Sequence, residues 1–317
     1  MQVWRIKLNS AMGESDEWDG AREEFWDAQK EYCREQGVVG VGWGRPEWLG
    51  TDVEPTLEGV LAAITLSDDP GWRNGPGTVR MLAGMQSGDL IWTRDSSGSY
   101  WLGRIAEGGW RWDTSNEASK WDLNNVQPCV WLEDAFEAYR VPGSVVRSFT
   151  GTGSTLRRVA PGTKEGWQMT EAVYRKNSDP GYQFPTPELS EVITALLDPT
   201  DVEDLALSYL QDAGWSLLPS SRSRDMVLYE AALINRETGD MGVVAVKSGE
   251  GNRVPVADVV GAVPEAKTFV CSTHDNFSED PESVGATAIT QADLVEFMKD
   301  RRKILPPRVA FWLGGAT

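Results

Sequence analysis

The sequence predicts a protein of two domains, a β-rich barrel with one early helix followed by an α/β sandwich. A chain of 317 residues is long enough to bury two separate hydrophobic cores. Thirteen of its fifteen tryptophans lie at or before Trp167, and the apolar spacing becomes helical after residue 188. We therefore place the first domain at 1–160, a linker rich in proline and glycine at 161–188, and the second domain at 189–317.

Short strands separated by glycine-rich turns indicate that the first domain is a compact barrel. Apolar alternation and short apolar runs predict strands at 2–8, 38–43, 87–93, 99–105 and 126–132. The turn at 95–98 joins two of these strands into a hairpin. Helices are predicted at 19–36, where Gly37 ends the helix, and at 78–86.

The second domain combines helices with a β-meander, which predicts an α/β sandwich. Helical spacing covers 189–197 and 202–213, and we expect Asp201 to cap the second of these helices and Gly214 to end it. A further helix is predicted from Gln291 to about Lys303. Strands are predicted at 215–218, 226–234, 242–247 and 268–271.

Composition excludes several classes of function. Lys and Arg number 30 against 48 Asp and Glu, a net charge of −18, so contact with nucleic acid requires a local basic patch. The one histidine, His274, excludes a multi-histidine zinc site, and three scattered cysteines argue against a disulfide framework. The sequence contains neither a membrane-length apolar run nor a signal peptide, so we expect a soluble cytoplasmic protein with no membrane partner.

Acidic residues and one lysine in the second domain form a pattern typical of metal-dependent nucleases. Glu203 lies in the first turns of a helix, Asp225 and Glu230 bracket the start of a strand, and Lys247 ends the next strand. Such nucleases need carboxylates around Mg²⁺ or Mn²⁺ and a lysine near the attacking water. The alternative is a solvated lysine and a Glu203 that only favours the helix N-terminus.

The same segments resemble a known family. The sequences Asp201-Val-Glu-Asp-Leu-Ala-Leu, Leu210-Gln-Asp-Ala-Gly-Trp, Tyr229-Glu230 and Val244-Ala-Val-Lys-Ser-Gly are similar to the Mrr-like branch of the PD-(D/E)xK restriction endonucleases. The resemblance implies an α/β/α fold in which Glu203, either Asp225 or Glu230, and Lys247 form the magnesium site. The chain departs from the family at Ala245, where the family places Glu, Asp or Gln. This departure leaves three alternatives. The metal site is weakened, or another acid such as Glu250 completes it, or the domain keeps the fold without the catalytic activity.

Loop tryptophans in the first domain predict an aromatic pocket. A flipped base is held by stacking between aromatic faces. Glycines flank Trp43, and Trp110, Trp112 and Trp121 lie in the polar segment 107–122, so we place all four in loops. Such tryptophans form a binding site or pack against the second domain. We assign to the core the strand tryptophans Trp4, Trp92, Trp101 and Trp131.

Motifs in residues 1–150 resemble the EVE/YTH-like members of the PUA superfamily, which have a small β-barrel fold. They are Val3-Trp-Arg-Ile-Lys7 with Asn9-Ser10, Gly40-Val-Gly-Trp43, Met85-Gln-Ser-Gly-Asp89-Leu-Ile-Trp, Gly98-Ser-Tyr-Trp-Leu-Gly-Arg, and Val130-Trp131 before Val141-Pro-Gly. The resemblance implies that Trp43 forms one wall of a base-binding cage. Trp110, Trp112 or Trp121 would form the other wall, and Asn9 or Ser10 would contact the base edge.

Three arginines flank the glycine-rich loop 150–155. The guanidinium groups of Arg147, Arg157 and Arg158, together with backbone N–H groups, are suited to binding phosphate. The alternative is a flexible turn, because the loop lacks the Gly-Lys-Ser/Thr of a nucleotide-binding motif.

Together these features predict a modification-dependent DNA endonuclease of the type IV restriction kind, acting in defence against phage. It would flip a modified base out of double-stranded DNA and hydrolyse the phosphodiester with Mg²⁺, and cutting both strands would favour a homodimer. The alternative is a non-catalytic reader of modified nucleic acid with a degenerate nuclease-like domain, which Ala245 and the net charge favour. An RNA-directed reader is a third hypothesis.

Overall fold

The structure consists of two compact units. A computed structural model of the chain describes residues 1–9, 21–50, 52–67, 73–150, 154–159, 164–183, 186–221 and 228–315. The units are Met1–Gln183 and Phe184–Thr317. Each combines helices with a β-sheet, as the sequence predicts for a two-domain α/β protein.

One mixed sheet organises the first unit. Its strands are β1 (Val3–Ile6), β2 (Val38–Val41), β3 (Leu90–Arg94), β4 (Tyr100–Ile105), β5 (Arg111–Trp112), β6 (Asn125–Trp131) and β7 (Leu156–Arg158). They follow the order β2-β6-β4-β3-β1-β7, with β5 paired to β6. The helices are α1 (Arg22–Glu35), α2 (Pro46–Leu49), α3 (Leu57–Leu66), α4 (Gly75–Ala83), α5 (Asn116–Lys120), α6 (Gly143–Thr150) and α7 (Lys164–Ser178).

The main core of the first unit lies between this sheet and helices α1, α3 and α4. Trp4 and Ile6 of β1 and Leu8 just after it contribute to this core, together with Val60 of α3 and Val79 of α4. Helix α3 lies outside the predicted elements, because its sequence Leu-Glu-Gly-Val-Leu-Ala-Ala-Ile-Thr-Leu has no clear apolar period. Its N-cap is the Thr56 hydroxyl, which accepts the Gly59 N–H at 3.1 Å.

Helix α7 occupies much of the segment that the sequence marks as a linker. Buried Met169, Ala172 and Val173 give it one apolar face. The Glu171 carboxylate lies 2.7 Å from both Arg104 Nη2 and Arg175 Nε. The prolines of 161–188 therefore lie outside a helix of the first unit that itself contains Gly166. The predicted linker and the boundary at residue 160 differ from the observed division.

The second unit contains a five-stranded sheet among its described residues. Its strands are β8 (Trp215–Leu217), β9 (Ala231–Asn235), β10 (Met241–Lys247), β11 (Lys267–Ser272) and β12 (Ala286–Ile289). Its helices are α8 (Leu189–Glu191), which continues as a π-helical turn to Leu196, α9 (Pro199–Asp212), α10 (Val256–Ala262), α11 (Gln291–Asp300) and α12 (Pro307–Ala310). Strands β10, β11 and β12 are parallel, whereas β9 is antiparallel to β8 and β10. The carboxyl ends of β10 and β11 and the start of β9 therefore lie at one edge of the sheet.

Helix α9 begins three residues earlier than expected, and Asp198 is its N-cap in place of Asp201. The two aspartates form a capping box, in which Asp198 Oδ1 accepts the Asp201 N–H at 2.9 Å and Asp201 Oδ2 accepts the Asp198 N–H at 3.1 Å. Pro199 fills the first helical position, where no N–H is needed. Arg308 Nη1 of α12 donates to Asp201 Oδ2 at 2.6 Å and ties the two helices together.

This buried cap gives a prediction about pH. The pKa of Asp201 is raised from 3.8 to about 6, chiefly by burial, with Arg308 opposing the rise and the charge of Asp198 adding to it. At pH values between these two pKa values, Asp201 is protonated more often in the folded state than in the unfolded state. The contribution of Asp201 to the free energy of unfolding therefore rises as the pH falls from 7 to 4. The free energy of unfolding of the native protein, minus that of Asp201→Asn, should rise over this range by on the order of 1 kcal/mol. Urea unfolding at each pH measures the difference, and a flat difference would contradict the prediction.

Candidate functional site

Glu230 and Lys247 meet at the sheet edge where β10 ends. The Glu230 N–H donates to the Val244 carbonyl at 2.9 Å and extends the β9–β10 pairing by one residue. The Glu230 carboxylate then continues the contact, because Oε2 accepts the Val246 N–H at 2.7 Å and Oε1 lies 3.0 Å from Lys247 Nζ. The Glu230 side chain is 18% exposed and the Lys247 side chain is 33% exposed, so water reaches the ion pair. The sequence-predicted strand acid and the lysine are thus adjacent.

Ala245 lies in the core of the second unit. It is fully buried and packs in one cluster with Val243 and Val270. The position two residues before Lys247 therefore offers apolar packing and no oxygen ligand.

Polar groups at the end of β11 complete this edge. The Thr273 N–H donates to the Lys247 carbonyl at 3.2 Å, and Thr273 Oγ1 accepts the Gly249 N–H at 3.1 Å. The same hydroxyl lies 2.9 Å from Nδ1 of His274, whose side chain is exposed. Sequence reasoning gave His274 no role, although a polar run that follows an apolar strand is a recognisable signal of such an edge.

The remaining predicted acids are Glu203 and Asp225. Glu203 is half-buried in the second turn of α9, which packs against β8 and β10. Because α9 turns back into β8 at Gly214, and β8 runs parallel to β10, the N-terminal turns of α9 lie towards the edge where β10 ends. Asp225 lies outside the described residues.

A magnesium site is compatible with the donor chemistry at this edge. Carboxylate oxygens are the side-chain ligands that Mg²⁺ prefers, and Glu230 places one carboxylate beside Lys247. In the part of the chain that the structure describes, no three His, Cys, Asp or Glu side chains form a group that could hold a metal ion. Glu203 and Asp225 would have to supply the further ligands.

In the first unit, Trp43 has a strained backbone that neighbouring side chains hold in place. Its φ is +59°, in the left-handed region that bulky residues rarely adopt. We call residues 42–44 the Trp43 turn. Asn125 Nδ2 donates to the Gly42 carbonyl at 2.7 Å, and Trp112 Nε1 donates to the Gly44 carbonyl at 2.6 Å. Strain that the surroundings maintain in this way is often found at functional sites.

The Trp43 turn is also closely packed. A Cβ atom on Gly44 would lie 2.7 Å from Asn125 Nδ2, and one on Gly75 would lie 2.8 Å from Trp43 Cγ. Trp110 joins the same network, because its Nε1 donates to Asn125 Oδ1 at 3.3 Å. Trp43, Trp110 and Trp112 are half-buried and pack against the main core. The structure therefore brings together three of the four tryptophans that we placed in loops, partly as core packing. Trp112 corrects that placement, because it lies in the short strand β5, paired with β6.

Trp121 has different surroundings. Its ring packs against Phe25 of α1 at 5.5 Å between centroids and lines a groove of about 660 Å³. Trp43, Trp110 and Trp112 do not line this groove, whose walls carry the carboxylates of Glu31, Glu35, Asp113 and Glu117. These carboxylates disfavour a phosphate backbone there. Of the polar base-edge candidates, Asn9 is exposed after the first strand, and Ser10 lies outside the described residues.

The three predicted phosphate-binding arginines do not share one face. Arg157 and Arg158 are consecutive in β7 and therefore point to opposite sides of the sheet. Arg158 pairs with Trp4, and its guanidinium carbon lies 5.8 Å from the centroid of the Trp4 ring. Arg157 pairs with Arg5, a residue for which the sequence analysis predicts no role. Arg147 is exposed on α6.

Neither the family models nor the curated proteins that we compared with this chain match it. The Mrr-like and EVE/YTH-like resemblances therefore remain predictions. Within the described residues, no helix has the length and apolar character needed to cross a membrane.

The strain at Trp43 is testable by two substitutions that both remove the ring. Trp43→Gly should be more stable than Trp43→Ala by about 1 kcal/mol, because a residue with a Cβ is disfavoured in the left-handed region. Trp110, which has no positive φ, is the control, and there alanine should be more stable than glycine. Urea midpoints of the four variants give the comparison. If Trp43→Ala is the more stable of its pair, the backbone is not strained at this position.

Proposed function

We propose that the protein is a modification-dependent DNA endonuclease. In this proposal the first unit binds a flipped modified base at the Trp43 turn, and the second unit hydrolyses the DNA backbone at the Glu230–Lys247 edge. The observation that supports it best is the 3.0 Å contact between Lys247 Nζ and Glu230 Oε1, at the edge where strand ends gather polar groups. Phosphodiester hydrolysis with a divalent metal uses carboxylates to hold the metal and positive groups to stabilise charge on the phosphate, and this pair offers one of each.

The residues at this edge would divide the work. Glu230, with Glu203 and Asp225, would hold Mg²⁺, which lowers the pKa of bound water and offsets charge on the phosphate. Lys247 would place its ammonium beside the attacked phosphate, where negative charge develops. Glu230 orients this ammonium, because its other oxygen is fixed by the Val246 N–H.

Cleavage of modified plasmid DNA tests the proposal. With Mg²⁺ or Mn²⁺, the native protein should nick DNA that carries methylated or hydroxymethylated bases and spare unmodified DNA. Lys247→Ala and Glu230→Gln should each lower the cleavage rate by about 100-fold or more, because each removes a group that acts on the transition state. Gel assays of nicked and linear plasmid measure the rate.

The matched control is Lys267→Ala, a lysine at the opposite end of the neighbouring strand β11. This variant should cleave at the native rate. Cleavage that persists in Lys247→Ala would contradict the proposed site, as would an absence of cleavage of every modified DNA that the native protein binds.

A non-catalytic reader is the second candidate. Two observations favour it, namely the full burial of Ala245 and the occupation of both Glu230 oxygens by donors from β10. In this case the second unit serves as a scaffold, and the protein acts through selective binding alone.

Base selectivity separates reading from cleavage. In the absence of metal, the native protein should bind a duplex with a modified base more tightly than the unmodified duplex. Trp43→Ala should reduce this preference by roughly tenfold, since stacking of a base on an aromatic ring contributes about 1–3 kcal/mol. Trp48→Ala, which removes an exposed tryptophan of α2, should keep the preference. Equal preferences in the two variants, measured by fluorescence anisotropy, would exclude Trp43 as the base-binding residue.

A further inference from the structure

Four basic side chains share one face of the sheet in the first unit. Arg5 of β1 stands opposite Arg157 of β7 and beside Trp92 of β3. Strands β1 and β3 are parallel, and extending their register by two residues places Lys7 level with Arg94. Because side chains on a strand alternate in direction, all four basic residues lie on the same side of the sheet. We call Arg5, Lys7, Arg94 and Arg157 the cationic face.

The cationic face begins where an apolar layer on the same side of the sheet ends. That layer contains Phe149 of α6, whose ring packs against Tyr100 at 5.5 Å between centroids. Arg5 is 1% exposed, and its guanidinium carbon lies 5.6 Å from the centroid of the Phe149 ring. Arg5 Nη1 also donates to the Ser154 carbonyl at 2.6 Å. Arg5 is thus rigid, whereas Arg94 and Arg157 are exposed at the rim.

The basic groups of this face repel one another. Burial, and after it the charge of Arg157, lowers the pKa of Arg5 from 12.5 to about 10. Burial also lowers the pKa of Lys7, followed by the charges of Arg5, Arg157 and Arg94. Like charges placed opposite each other destabilise a sheet, so folding alone does not favour this arrangement. A bound anion would relieve the repulsion.

The nearest carboxylate in sequence is already engaged by its own turn. Asp95 follows Arg94, and its Oδ1 accepts the Ser99 N–H at 2.9 Å and the Ser97 hydroxyl at 2.6 Å. Its Oδ2 accepts Trp101 Nε1 at 3.1 Å. The carboxylate therefore serves to fix the β3–β4 hairpin.

From this placement we propose that the cationic face binds the phosphodiester backbone of nucleic acid. The inference deepens the proposed function and rests on it for the nature of the ligand. The face extends from β7 across β1 to β3, two strand spacings or about 10 Å, which suits a chain of phosphates better than one free phosphate. In a protein with a net charge of −18, such a local patch is what contact with nucleic acid requires.

The test uses the full chain, a labelled unmodified DNA duplex and buffer with EDTA. Arg94→Gln and Arg157→Gln should each weaken binding and should each reduce the slope of log K against log salt by about 1. Arg80→Gln is the control, because it removes the same charge from an exposed arginine of α4, a helix that packs on the opposite face of the sheet. It should keep the native affinity and slope. Thermal unfolding of each variant verifies that it is folded.

Two outcomes would overturn the inference. One is an equal salt slope in the Arg157→Gln and Arg80→Gln variants. The other is displacement of the duplex by inorganic phosphate at constant ionic strength, which would assign the face to a free anion. Because the DNA is unmodified and metal is absent, a failure of base preference or of cleavage would leave this result unchanged. Conversely, selective binding and cleavage with no effect of Arg94 or Arg157 would refute only the cationic face.

Discussion

The arrangement of the candidate site in the second unit depends most on the contact between the Glu230 carboxylate and β10. Strand β9 begins at Ala231, and one residue earlier Glu230 adds a side-chain contact with β10 to its backbone bond with Val244. One carboxylate oxygen accepts the Val246 N–H and the other contacts the Lys247 ammonium. The carboxylate therefore ends the pairing of β10 with the β9 side of the sheet and neutralises the lysine. An ion pair this accessible to water contributes only about 0.2–1 kcal/mol to stability. Its main effect is to fix where the ammonium lies.

A buried carboxylate has a comparable structural role in the first unit. Asp89, only 2% exposed, accepts the Gln2 N–H at 2.8 Å, Trp4 Nε1 at 2.9 Å and the Gln86 N–H at 3.2 Å. A carboxylate with three donors is stable in the interior because its charge is fully hydrogen-bonded. Asp89 thereby holds β1 against β3. This parallel pairing is what brings Lys7 level with Arg94, so the cationic face depends on an acid placed at the other end of the same strands.

The parts of the fold that the sequence predicts are those with a strong local signal. Helix α1 ends beside Gly37, and the hairpin of β3 and β4 lies where apolar alternation and its turn indicated. Helix α7 was missed because proline and glycine at its two ends resemble a linker, and only contacts such as Glu171 with Arg104 reveal its packing. For the site, chain order suggested that either Asp225 or Glu230 would lie near Lys247, and it did not choose between them. The grouping of Arg5 with Arg157 depends on strand register, which spacing along one chain does not reveal.

Ala245 restricts how this edge can acquire acidic groups. A carboxylate at that position would be enclosed by the cluster that contains Val243 and Val270, and an unpaired buried charge costs several kcal/mol. Glu230 reaches Lys247 from the neighbouring strand and remains at the rim of the sheet, so it avoids this cost. The apolar core and the polar edge are therefore compatible only because the acid comes from β9 and not from β10. A metal site at this edge would therefore need further oxygen ligands beside Glu230 from other segments of the chain, because position 245 of β10 supplies none.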